Sequence, residues 1–171
     1  QHGARSAFLG YRKYPGHICI SVNEAVVHGL ASDRRVQFGD IVSLDVGVSY
    51  NGYIGDTART VAVGGCDLLA QKLIDVTEKA LYEGIGRAVA GNRVVDISRA
   101  IQDYVESNGF SVVREFVGHG LGVQLQLRVA ELGVGAGVDQ PGDRHQRVIR
   151  RHLRAGDAAG HVLVGTDAGW V

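Results

Sequence analysis

The sequence contains no methionine and begins on Gln1, so it reads as a fragment or a processed product. Only two cysteines are present, Cys19 and Cys66. They form neither a metal-ligand spacing nor a disulfide framework, and Cys19, inside an apolar run, reads as a small buried hydrophobe. Neither sign of charge is in excess: 18 basic side chains balance 18 acidic ones, with no basic block. Nucleic acid and anionic membranes are therefore not expected partners. No apolar run approaches the roughly 18 residues of a membrane span, and no signal peptide opens the chain, which predicts a cytoplasmic protein. At 171 residues the chain suffices for one domain, or for two small halves sharing a core.

What is present centres on Ile41–Val63. Val42, Leu44, Val46 and Val48 alternate with Ser43, Asp45, Gly47 and Ser49, the period of a half-buried strand. Asn51-Gly52 follows, a pair suited to the two positive φ angles of a type I′ turn, and β-branched residues return after it. A two-residue turn pairs Tyr50 with Tyr53, which sets Asp56 opposite Gly47 and Asp45 opposite Ala58. The two aspartates then share one face as diagonal neighbours, about 7–8 Å apart at the backbone. Gly47 leaves room between them. Two readings stay open at this point: a pair of solvated carboxylates, or a pair that holds a divalent metal. Ile54, Ala58 and Ala62 lie on the same face, so it is not simply a wet surface.

Around the hairpin the chain punctuates itself. Residues 1–16 read as loop, broken by Gly3, Gly10 and Pro15-Gly16. Ile18-Cys19-Ile20 reads as a short strand, and His28 beside Gly29 as a satisfied structural histidine when taken alone. Ala31–Asp40 reads as a loop ending in a turn at Phe38-Gly39-Asp40. Asp67 is placed to cap a helix running to about Ala90, with Leu69, Leu73, Val76, Ala80 and Leu81 at helical spacing. A second helix, from Val94 or Asp96 to Ser107, carries Ile97, Ile101, Tyr104 and Val105 on one face and stops at Asn108-Gly109. Both helices read as amphipathic cover for a sheet. Phe110–Val117 reads as a strand leading into Gly118-His119-Gly120, where a histidine between glycines is either a turn residue or a ligand.

Beyond His119 the character changes. Residues 123–171 are rich in Gly and Arg and have little periodicity of either kind; Gln124–Val129 and Arg147–Leu153 are its only candidate strands. Gly, Ala, Arg, Val, Asp and His are what GC-rich codons yield in any frame. This reading divides the chain into 1–122 and a divergent, out-of-frame 123–171.

Three blocks, CISVNEAVVHGL, GDIVSLDVGVSYNGYIGDTART and SVVREFVGHGLG, closely resemble type I methionine aminopeptidases of the bacterial kind, over about residues 3–122. The wider pita-bread superfamily includes aminopeptidase P, prolidase and creatinase, but the CISVNE block favours the methionine enzyme over an X-Pro peptidase. The resemblance implies an α+β pita-bread fold: a curved antiparallel sheet with helices on one side, here incomplete and without its N-terminal helix. It implies a dinuclear centre of Co2+, Mn2+, Fe2+ or Zn2+, with Asp45, Asp56 and His119 as ligands and Asp56 bridging. His28 corresponds to the catalytic histidine that contacts the substrate. The implied activity is removal of the N-terminal methionine from nascent polypeptides by a cytoplasmic monomer.

The sequence departs from that pattern after His119. The two further glutamate ligands and the second histidine of the family have no counterpart in context. Glu131 is the only later glutamate, and His145, His152 and His161 sit in no matching motif. Three protein ligands remain, enough for one ion held weakly. The expectation is a methionine aminopeptidase by descent with impaired activity; the alternative is a non-catalytic pita-bread remnant or binding module.

Overall fold

The computed structural model describes residues 2–113, 118–123 and 125, together with the backbone of 161–162, 165–166 and 169–170. Its centre is an antiparallel hairpin of β3 (Ile41–Tyr50) and β4 (Tyr53–Ala62). Asn51 and Gly52 take φ of 50° and 83°, as the turn demands. The register is the expected one, with Tyr50 opposite Tyr53, Gly47 opposite Asp56 and Asp45 opposite Ala58. Because β4 occupies one edge of β3 along its whole length, β1 (Arg5–Ser6) and β2 (Cys19–Val22) share the other edge. β1 pairs at Val48 and Ser49, and β2 at Val42–Asp45.

The two faces of this sheet differ from the reading of the alternation. The deeper burial lies on the aspartate face: Asp45 and Asp56 are 6% and 8% exposed, whereas Val48 on the opposite face is 36% exposed. The reason is the N-terminal segment. It is not loop throughout, and after β1 it folds over this face so that Phe8 packs with Cys19 and Leu125, flanked by Tyr11, Tyr14, Ile54 and Leu121. The room above Gly47 is therefore filled: a Cβ there would sit 2.3 Å from the Phe8 ring.

Two helices follow. In α1 (Leu68–Arg87), Asp67 is the N-cap, its carboxylate accepting from the backbone N–H groups of Leu69 and Ala70 at 2.9 Å each. α2 (Val94–Ser107) ends where Gly109 turns left-handed, at φ 84°. The helices do not chiefly cover the sheet. They pack on one another, burying Val76, Ala80, Ile101 and Val105 with Phe110, while Leu73, Leu81, Ile97 and Tyr104 line the same seam. Gly84 permits this closeness, since a Cβ there would meet Ile101 Cδ1 at 2.7 Å. Toward the sheet, α1 offers Glu78, whose carboxylate lies 3.6 Å from Arg59 on β4. Leu69, expected on the packed face, is exposed.

β5 (Ser111–Val112) lies within the strand predicted at 110–117 and runs parallel to β6 (His161–Val162). β7 (Gly165–Thr166) and β8 (Gly169–Trp170) pair antiparallel. Residues 114–117 and the candidate strands at 124–129 and 147–153 lie outside the described residues, apart from Leu125. No helix among the described residues is long and apolar enough to cross a membrane.

Candidate functional site

Strand pairing builds the site. The Asp45–Ala58 and Gly47–Asp56 pairs put both carboxylates on one face, and the Cys19–Asp45 pair places the thiol beside them. Asp56 shares a hydrogen bond with Asp45, and Asp45 is also bonded to Cys19. Burial pushes the Asp56 carboxyl above its usual range; the Asp45 hydrogen bond and the His119 and His28 imidazoles pull the other way. The Cys19 thiol is pushed up to about 11, first by its burial, with the Asp45 and Asp56 charges adding to it and the hydrogen bond with Tyr14 opposing. Tyr14 is held protonated well above its ordinary range by burial.

His119 arrives from the far end of the described chain. The Ile54 N–H donates to Gly122 O at 2.8 Å, which fastens the Gly120–Gly122 segment to the β4 edge. This brings His119 Nε2 to 3.9 Å from Asp56 Oδ2. Its Nδ1 lies 3.3 Å from Gly120 O.

His28 is exposed, takes φ 57°, and its charge is felt at Asp56. The loop bearing it returns to β2 at Gly29, whose N–H donates to Ser21 Oγ at 3.1 Å and whose carbonyl accepts from Ile20 N and the Tyr14 hydroxyl, each at 2.9 Å. Gly29 has no room for a side chain: a Cβ would lie 2.2 Å from Ile20 O.

Of the four expected site residues, the structure brings Asp45, Asp56 and His119 to one face, while His28 is exposed on the loop after β2. Phe8, Tyr14 and Cys19 were not singled out as site residues. Only the β2–β3 register signals Cys19; Phe8 and Tyr14 come from a stretch with no period to read.

Two carboxylates and an imidazole are a donor set suited to a divalent ion of hard or borderline character. In that chemical sense the residues fit a metal. Among the described residues, though, no group of three His, Cys, Asp or Glu side chains is drawn together closely enough to hold one.

A methionine aminopeptidase of Clostridium perfringens is 51% identical over 122 residues, 71% of this chain and 49% of that protein. The crystal structure of a methionine aminopeptidase from Thermotoga maritima matches with a TM-score of 0.70 and 44% identity, covering 73% of this chain and 51% of that one. A prolidase from Pyrococcus furiosus matches less closely, with a TM-score of 0.58 and 25% identity over 64% of this chain and 33% of its own. The chain thus spans about half the length of the methionine aminopeptidases it matches. Its antiparallel sheet and helix pair are an incomplete α+β pita-bread fold. The family model described as metallopeptidase family M24 matches residues 1–156, and the chain belongs to that family.

Proposed function

We propose that this chain is the N-terminal half of a metal-dependent methionine aminopeptidase site, acting on the N-terminal methionine of peptides and nascent polypeptides. The observation that carries this reading is the buried Asp45–Asp56 pair with His119 Nε2 at 3.9 Å from Asp56. Asp45, Asp56 and His119 would hold a divalent ion such as Mn2+, Co2+, Fe2+ or Zn2+. A bound ion supplies Lewis acidity, polarising an amide carbonyl and making water nucleophilic near neutral pH. The chain's own residues do the rest. Phe8, packed over Gly47, excludes water from one side of the carboxylates. The exposed His28 would hydrogen-bond the substrate amide next to the scissile bond.

Three ligands carry less negative charge than a closely spaced ion pair needs, so one ion, bound weakly, is the stoichiometry we propose for this polypeptide. Residues 1–122 form the part with this chemistry, and 123–171 a divergent segment. That donors are not drawn into a group of three among the described residues favours a second reading, a non-catalytic remnant that keeps the pocket.

Release of methionine from a Met-Ala-Ser peptide, with and without added Mn2+ or Co2+, separates the two. Metal-dependent release that is lost in Asp56→Asn is the expected result for the enzyme. A folded chain that releases none under any metal supports the remnant.

A further inference from the structure

The loop that carries His28 is fastened at both ends, and one fastening is a polar clasp with no part in the chemistry above. Asn23 opens the loop at φ 53°, a left-handed conformation that asparagine tolerates better than most side chains. Its side chain bridges two elements: Nδ2 donates to Asp40 Oδ1 at 2.7 Å, and Oδ1 accepts from Ile41 N at 2.9 Å. Its backbone N–H donates to Ile41 O, also at 2.9 Å. Asp40 is buried, and its carboxylate further accepts from Gln37 N at 2.9 Å and Arg34 at 3.0 Å. The opposite end of the loop is closed at Gly29 by Ser21, Ile20 and Tyr14. His28 sits against that closure in the second left-handed conformation of the loop.

Two left-handed residues five positions apart, Asn23 and His28, bracket a stretch whose Asn23 and Glu24 are exposed. The fastenings at its two ends set the course of the loop. Asp45 lies on β3, the strand whose first residue is tied to Asn23, so the clasp links the His28 loop directly to the strand bearing a carboxylate.

We propose that Asn23 and Asp40 are positioning residues for His28, setting where its imidazole stands relative to the Asp45–Asp56 pair. The importance of that placement rests on the aminopeptidase reading, but the placement can be read without activity.

The test uses the whole chain and two variants. Asn23→Gly keeps a residue at ease at positive φ and removes only the side-chain bridge. Asp40→Asn keeps the shape of the clasp and removes its charge. The imidazole Cε1–H cross-peaks are recorded by NMR, with His28 assigned through His28→Gln. The expected result is a His28 peak that shifts by more than its line width in both variants, with the His119 peak and the far-ultraviolet circular dichroism unchanged. A His28 peak that stays in place in folded Asn23→Gly overturns the proposal. So does a His28 shift matched by an equal His119 shift, which would mark a general loosening of the sheet. If Asp40→Asn does not fold, Asn23→Gly alone decides. Absence of methionine release in the unaltered chain would remove the aminopeptidase reading while leaving this result standing.

Discussion

In the seam between α1 and α2 the buried side chains are Val76, Ala80, Ile101 and Val105, closed by Phe110, whereas the four-stranded sheet buries Ser21, Asp40, Asp45 and Asp56 besides its apolar residues. The helix pair removes apolar surface from water, worth about 25 cal/mol per Å2, at no polar cost. The sheet takes carboxylates out of water, which is unfavourable unless hydrogen bonds or charges compensate. Asp40 is compensated by three hydrogen bonds to its carboxylate, from Gln37 N, the Asn23 side chain and Arg34. Asp56 is compensated only partly, since its burial outweighs the Asp45 and histidine contributions and its carboxyl stays raised. A carboxylate left in that condition is where a cation has most to offer. The helix pair thus buries apolar side chains alone, and the hairpin buries a carboxyl whose burial is only partly offset.

The contrast can be broken most forcefully in the helices. Ile101 is fully buried, so Ile101→Ala should cost about 2–5 kcal/mol in urea unfolding, transfer and cavity terms together. A loss well under 1 kcal/mol would mean that the seam is not the stabilising core.

Asp56→Asn should do the reverse in the metal-free chain, raising stability by about 1 kcal/mol because a partly compensated buried charge is removed. The same substitution should abolish any rise in melting temperature on adding Mn2+, which in the unaltered chain follows from binding to the native state alone. A variant that is less stable without metal would show the carboxylate to be structural.

The smallest effect concerns Asp40, whose carboxyl is held below its ordinary range by the Gln37 N–H first, then Asn23 and Arg34. With the folded value depressed, the native state binds fewer protons than the unfolded one. The contribution is present above the ordinary carboxylate value of 3.8 and is lost as pH falls through the folded value. The urea midpoints of the unaltered chain and Asp40→Asn should therefore differ at neutral pH and converge once the pH is below the folded value. Midpoints that stay apart in acid would show that shape, not charge, makes the clasp.

Much of the hairpin was legible beforehand. Asn51-Gly52 and the alternation set the register from local rules alone, and with it the shared face of Asp45 and Asp56, which the structure reproduces pair for pair. Asp67 and Gly109 marked helix ends for the same local reason: an orphan N–H needs an acceptor, and a left-handed stop needs glycine. Three features were decided only by tertiary contacts. Phe8 filled the space over Gly47, from a segment whose sequence has no period to read. α1 and α2 turned their apolar faces to each other, since an amphipathic stripe says that something must be covered but not by what. The loop bearing His28 was clasped through Asn23, Asp40 and Gly29, by contacts that no local pattern encodes.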